Sequence, residues 1–326
     1  MTTAVSARTP SRSATSRSAT STDDLHRMCA HALWSDAMCP ATAYFWSHLV
    51  SRHSNSHLKR RLLHELPECR TPRVYWAVSG NIGLFTVRGT STKRDVMVDV
   101  RTHVSDSKFH ERVLTITAEA EDRIRQAVRS TCNLILEHGW RVHRGIFLHA
   151  ANIAVAISRF AVTTPTITSV RLYGHSLGGA CVSMVFAWLR SIGCFDDIQA
   201  AVMSSPDFCD VACHNGWLAR YDDPAYFRHY YTKGDPLVHR IPRLAGLKCG
   251  ISATPFVCPM PTLHKSNPVV RVAKRLIAHV MYTADGFVSE GSDTPVPVGC
   301  EAAIRVLSSP RYASLLRARD VIKKNE

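Results

Sequence analysis

The segment Val170–Ala180 reads VRLYGHSLGGA, and within it Gly174, His175, Ser176, Leu177 and Gly178 stand in the order G-x-S-x-G. A β-prone run, Val170–Tyr173, precedes it, and an apolar helix-prone run from Ala180 to about Ile192 follows. A tight turn from strand into helix pushes the central serine outward at the strand end, and glycine at 174 and 178 removes Cβ atoms where the two elements crowd. The chemistry this points to is nucleophilic attack by the Ser176 hydroxyl.

A serine hydroxyl is a weak nucleophile on its own. It needs an imidazole to take its proton, a carboxylate to hold that imidazole, and N–H donors for the oxyanion. Behind an elbow of this kind the chain order is serine, then acid, then histidine. Asp207, after Pro206, and Asp235, just past a strand, are the candidate acids; His239, His264 and His279 lie downstream as candidate bases among seventeen histidines. The backbone N–H of Leu177, the residue after the nucleophile, is the first oxyanion donor.

The elements that must position these groups alternate between strand and helix. Val74–Val78 and Leu84–Val87 form a hairpin about Ser79, Gly80 and Asn81. Between Thr115 and Glu137, Ile124, Val128, Thr131 and Ile135 line one helical face that ends at Gly139. A helical run from Phe147 to Phe160 comes next, then the elbow, then strands at Ala200–Met203 and His229–Thr232 that lead into the two candidate acids. This order predicts an α/β fold with a mainly parallel central sheet flanked by helices and its site at the carboxyl ends of the strands.

Three further motifs fall in order around the elbow. Phe85–Val100 reads FTVRGTSTKRDVMVDV, Val142–Ile146 reads VHRGI, and Gly234–Pro242 reads GDPLVHRIP. Together they resemble the class 3 lipase family of the α/β-hydrolase superfamily, which holds fungal triacylglycerol lipases and plant phospholipase-type hydrolases. The resemblance spans roughly Val74 to Tyr282. It implies an α/β-hydrolase fold, Asp235 as the acid in preference to Asp207, and His279, which heads His-x-x-Tyr with Tyr282, as the base in preference to His264. It also implies Thr90 as the second oxyanion-hole residue beside Leu177, and a lid over Ser91–Phe109. His143 is expected to be a packed histidine beside the site. The chain departs from the family pattern at Val96, where a Trp is usual, at Ser204, where a Gly precedes the Ser-Pro turn, and in an extra helix between Arg101 and Trp140.

Residues 1–22 are rich in Ser, Thr, Ala and Arg without an acid and read as a disordered tail. Residues 23–73 read as an N-terminal helical extension broken by Pro40, and 74–326 as the hydrolase domain. The longest apolar run, around Val182–Leu189, is too short to cross a bilayer, so no transmembrane segment is expected. No secretory signal is visible, which favours an intracellular, cytoplasmic protein and leaves organelle targeting by the tail open. The formal charge of +14 favours an anionic partner, such as an acidic membrane surface. Nucleic acid is not expected, because RNA-binding aromatics, zinc fingers and a leucine zipper are all missing. Eleven cysteines are scattered singly and read as reduced thiols, with Cys209, Asp210, Cys213 and His214 the tightest group of metal-ligand types.

The expected activity is hydrolysis of a lipid acyl ester through a Ser176–His279–Asp235 triad and an acyl-enzyme, with no metal or organic cofactor required. A soluble esterase, thioesterase or acyltransferase would use the same triad, and a catalytically silent binding protein would have no chemical need for it.

Overall fold

The computed structural model describes residues 63–70, 72–89, 107–232, 235–244 and 246–251, together with positions 38, 42–43, 46–47, 256–258 and 288–289. Within these residues lies one 8-stranded sheet whose spatial order follows the chain, β1 to β8. The strands are β1 His64–Arg70, β2 Arg73–Ser79, β3 Ile82–Val87, β4 Ser169–His175, β5 Asp197–Met203, β6 Phe227–Thr232, β7 Phe256–Cys258 and β8 Val288–Ser289. The middle, β3 to β7, is parallel; the edges, β1 to β3 and β7 to β8, are antiparallel. The domain is an α/β-hydrolase-type fold, as the alternation of elements predicts.

The hairpin expected at Val74–Val87 is β2 and β3, paired from Val74↔Val87 to Ser79↔Ile82. The sheet starts earlier than periodicity suggests. His64–Arg70 is the outermost strand, inside the segment read as a helical extension. Leu66 and Cys69 are its buried positions, too few for a clear period of two. Farther upstream, Thr42, Ala43, Trp46 and Ser47 are helical and buried. The carbonyl of Trp46 accepts a hydrogen bond from Thr86 of β3, and that of Met38 accepts from Tyr230 and Arg228 of β6. Met38 and Trp46 therefore lie against β6 and β3.

The longer helices of the described residues are α1 Ser107–Ile116, α2 Asp122–His138, α3 Arg144–Thr163 and α4 Leu177–Ile192. The face predicted for α2 is the buried one, through Ile124, Val128, Thr131 and Ile135, and Gly139 ends the helix in the left-handed conformation. Thr131 accepts a hydrogen bond from the indole of Trp188 on α4, so the two helices are joined by a buried polar contact as well as by packing. By length and composition alone α3, longer than the apolar run at Val182–Leu189, is apolar enough to cross a membrane. Here ten of its residues are buried in the core, and Phe160 packs on Phe85 of β3. Two short helices, α5 Val211–Gly216 and α6 Arg240–Leu244, follow β5 and β6.

Candidate active site

Strand β4 delivers the chain to Ser176 at the carboxyl edge of the sheet. Ser176 has φ 56° and ψ −130°, a conformation that L-residues rarely adopt and that costs of order 1–3 kcal/mol. Crowding around the turn leaves little choice. A Cβ on Gly174 would stand 2.5 Å from the Gly178 carbonyl oxygen, and one on Gly178 would collide with the Val87 carbonyl at the end of β3. The Ser176 N–H bonds the Met203 carbonyl of β5, and its own carbonyl receives the N–H groups of Gly179 and Ala180. Its hydroxyl makes no capping hydrogen bond to α4, and the residue is half-buried. The hydroxyl is thus held at the mouth of the sheet without being spent on the backbone.

Leu177 opens α4, so its N–H lies in the helix turn whose amides have no intrahelical acceptor and whose dipole favours negative charge. That is what an oxyanion donor needs. The end of β3 comes equally close: a Cβ on Gly89 would stand 2.7 Å from the His175 carbonyl and 3.3 Å from the Ser176 Cβ. Thr90 lies outside the described residues, as do His264 and His279. Of the lid candidate Ser91–Phe109, only the last three residues are described; they begin α1, where Phe109 is fully buried and meets Phe147 of α3 edge-on.

Asp235 is buried beyond β6 and accepts a hydrogen bond from the Leu237 N–H at 2.9 Å, which fixes its carboxylate in a tight turn. The loops after β5 and β6 are laced together. The Asp207 N–H bonds the Val238 carbonyl at 2.8 Å, and His239 Nδ1–H donates to Asp207 Oδ2 at 2.8 Å. Tyr231 stands edge-on to the His239 ring, with centroids 5.0 Å apart. With Nδ1 donating, Nε2 is the basic nitrogen of His239, and it has no hydrogen-bond partner among the described residues. Sequence reasoning ranked both members of this pair below Asp235 and His279. A spacing of 32 residues carries no local signal that they meet.

A further histidine of this edge stands out in the sequence only as the start of a strand. His229 of β6 is fully buried, and its Nε2 has no hydrogen-bond partner among the described residues. Its pKa falls to about 3, chiefly because burial disfavours the cation and secondly because of His239, while Asp235 opposes the shift. The imidazole is therefore neutral at pH 7. His229, Tyr230 and Tyr231 are buried on both faces of β6, so no alternation in the sequence marks the histidine.

His143 plays the structural part expected of it. It caps α3, its Nδ1 accepting the Ile146 N–H, and its own N–H bonds the Phe208 carbonyl. The metal-type group after β5 is likewise committed to the fold. Asp210 accepts from the N–H groups of Cys213 and Arg141, and His214 Nδ1–H donates to the Gly250 carbonyl.

Residues 84–243 match the family model described as lipase (class 3). The chain carries a class 3 lipase domain. The match starts in β3 and ends in α6, so it encloses the elbow, the Gly89 approach and both candidate acids. The class 3 lipase family places the domain among serine carboxylic ester hydrolases, which is the chemistry that an outward serine at a helix N-terminus serves. Solved structures similar to the class 3 lipase domain include a Rhizomucor miehei lipase in complex with its propeptide, at 14% identity and TM-score 0.43 over 80% of this chain and 81% of that one. Lipase II from Rhizopus niveus is 16% identical at TM-score 0.39, covering 73% and 81%. A Penicillium cyclopium MDLA variant is 14% identical at TM-score 0.41, covering 76% and 83%. No curated protein sequence gives a match.

Ser204 gives the family's glycine a physical meaning. It is the other non-glycine residue with positive φ among those described, at 47°, and it stands at the end of β5 where the family carries Gly. The turn after β5 needs that conformation whichever residue supplies it.

Proposed function

We propose that the chain hydrolyses acyl esters of lipids, with Ser176 as nucleophile, Asp235 as acid, His279 as base, and the N–H groups of Leu177 and Thr90 as oxyanion donors. The observation that carries the reading is the strained backbone of Ser176 between strand and helix. Such strain persists only where the surroundings over-determine it, and here it lifts a hydroxyl clear of its own helix. In the reaction the imidazole takes the Ser176 proton as Oγ adds to the ester carbonyl. The oxyanion is met by the two N–H groups, and the same imidazole returns the proton to the departing alcohol. Water, activated by that base, then releases the acid from the acyl-enzyme.

One observation favours a second assignment of the base. Asp207 and His239 already form a carboxylate–imidazole pair at 2.8 Å with Nε2 as the basic nitrogen, in the chain order serine, acid, histidine. In that reading His239 takes the proton and Asp235 stiffens the loop.

A fluorophosphonate probe tests the shared element. It should label the protein at Ser176 and fail on Ser176→Ala, and ester turnover of that variant should fall by about 10⁶-fold. Equal labelling of both proteins would reject the nucleophile. The lipid class is read by comparing triacylglycerol, diacylglycerol and phospholipid as substrates. A rate that rises when the ester exceeds its solubility separates a lipase from a soluble esterase.

A further inference from the structure

α6 begins immediately after His239 and is only five residues long, Arg240–Leu244. Positions 240, 243 and 244 are one turn apart and share a face. All three are exposed, and Leu244 is 84% exposed, well above Val162 at 68%, the next large apolar residue of the described set. A lone exposed leucine needs no explanation. This one is surrounded by cations.

The chain folds back beside α6 at Gly246, where the Arg141 guanidinium lies 2.9 Å from the position a Cβ would take. Lys248 follows, exposed, with its N–H on the Cys209 carbonyl at 2.8 Å, and Val211, two residues beyond Cys209, is 46% exposed. Four cations, Arg141, Arg240, Arg243 and Lys248, thus gather with Leu244 and Val211 at one corner, and none of the four has a salt bridge among the described residues. The two acids of the same corner are turned inward. Asp207 holds His239, and Asp210 receives the N–H groups of Cys213 and Arg141.

We propose that this α6 corner docks the domain on an anionic lipid surface. The cations would lie at the headgroups and the Leu244 side chain would enter the acyl boundary, as basic residues rimming an apolar tip do at membrane interfaces. Charge complementarity selects the occupant, since the corner adds local positive charge to a chain of net charge +14. Continuity with the site gives the docking a use. α6 grows out of the loop that carries Asp235 and His239, so a surface held by the corner lies beside the carboxyl edge of the sheet. The proposal rests on the reading that the domain acts on lipid esters.

The test is cosedimentation of the full chain with vesicles of phosphatidylcholine alone and with phosphatidylserine added, run beside hydrolysis of a water-soluble short-chain ester. The chain should sediment with the phosphatidylserine vesicles far better than with phosphatidylcholine alone. Each cation at an anionic leaflet is worth about fivefold in partitioning, so Arg240→Gln with Arg243→Gln should weaken binding about 25-fold. Leu244→Ser should weaken it about tenfold through lost apolar burial. Both variants should hydrolyse the soluble ester at the normal rate, which also shows that they are folded. Arg112→Gln with Arg123→Gln, exposed cations on α1 and α2, should leave binding intact. Equal binding to the two vesicle types, unchanged binding by the α6 variants, or equal loss in the α1 and α2 control overturns the proposal. Vesicle binding by a wild-type chain that fails to cleave the soluble ester would instead sink the catalytic reading and leave the docking corner standing.

Discussion

At β4 the nucleophile is built from neighbours in sequence: Gly174, Ser176 and Gly178 lie within five residues, and the close approach of β3 completes the turn. Across β5 and β6 the acidic and basic groups are built from residues far apart, with Asp207 and His239 separated by 32 positions and Asp235 and His229 brought beside them by strand pairing. The first region allows one arrangement because a Cβ at either glycine has nowhere to go. The second allows two, because two carboxylates and more than one imidazole belong to the same edge. A strained local turn specifies its own chemistry; a cluster drawn together by the fold specifies only which groups can compete.

The sharpest way to break this comparison is to neutralise each acid in turn. Asp235→Asn should lower ester turnover by about 10⁴-fold, as removal of the carboxylate does in a serine triad, while Asp207→Asn should cost far less. The opposite ranking, accompanied by a comparable loss in His239→Gln, would move the base from His279 to His239. The measurement is kcat on a soluble ester with the melting temperature recorded for each variant.

His229 sharpens the comparison on its second side. Its folded pKa of about 3 lies below the ordinary 6.5, so in that interval the unfolded chain binds a proton that the folded chain refuses. Stability is complete above the ordinary value and falls as the pH drops through the window, by up to about 1.4 kcal/mol for each pH unit. His229→Phe should remove that part of the slope, read as a smaller loss of melting temperature on acidification. An unchanged slope would show that the buried imidazole is not the group that titrates.

The smallest effect belongs to Ser204, at the junction of the two regions. With φ at 47°, Ser204→Gly should relieve about 1 kcal/mol and raise the midpoint of chemical denaturation slightly. A loss of stability would mean that its side-chain contacts outweigh the backbone strain.

Helices were legible where one face is apolar over several turns, as in α2, and strands where a short β-prone run meets a turn, as in β2 and β3. β1 was not, because this edge strand buries Leu66 and Cys69, three residues apart, and shows no period of two. The apolar length of α3 was hard to see because His149, Asn152 and Arg159 interrupt the run, although its inward face is almost wholly Ala, Ile, Val and Phe. The pairing of Asp207 with His239 was illegible for another reason. Each residue sits in a loop whose course is set by the strand before it, and no periodicity links two loops.

By itself the sequence determined the elbow, the order of the elements and the set of residues able to act as acid and base, because these depend on steric limits and side-chain chemistry that a short segment already contains. Only the tertiary structure decided that Asp207 holds His239, that His229 is sealed from water, and that Arg141, Arg243 and Lys248 share a corner with Leu244. Those are distances between segments that the sheet brings together, and sequence separation carries no information about them until the strands have paired.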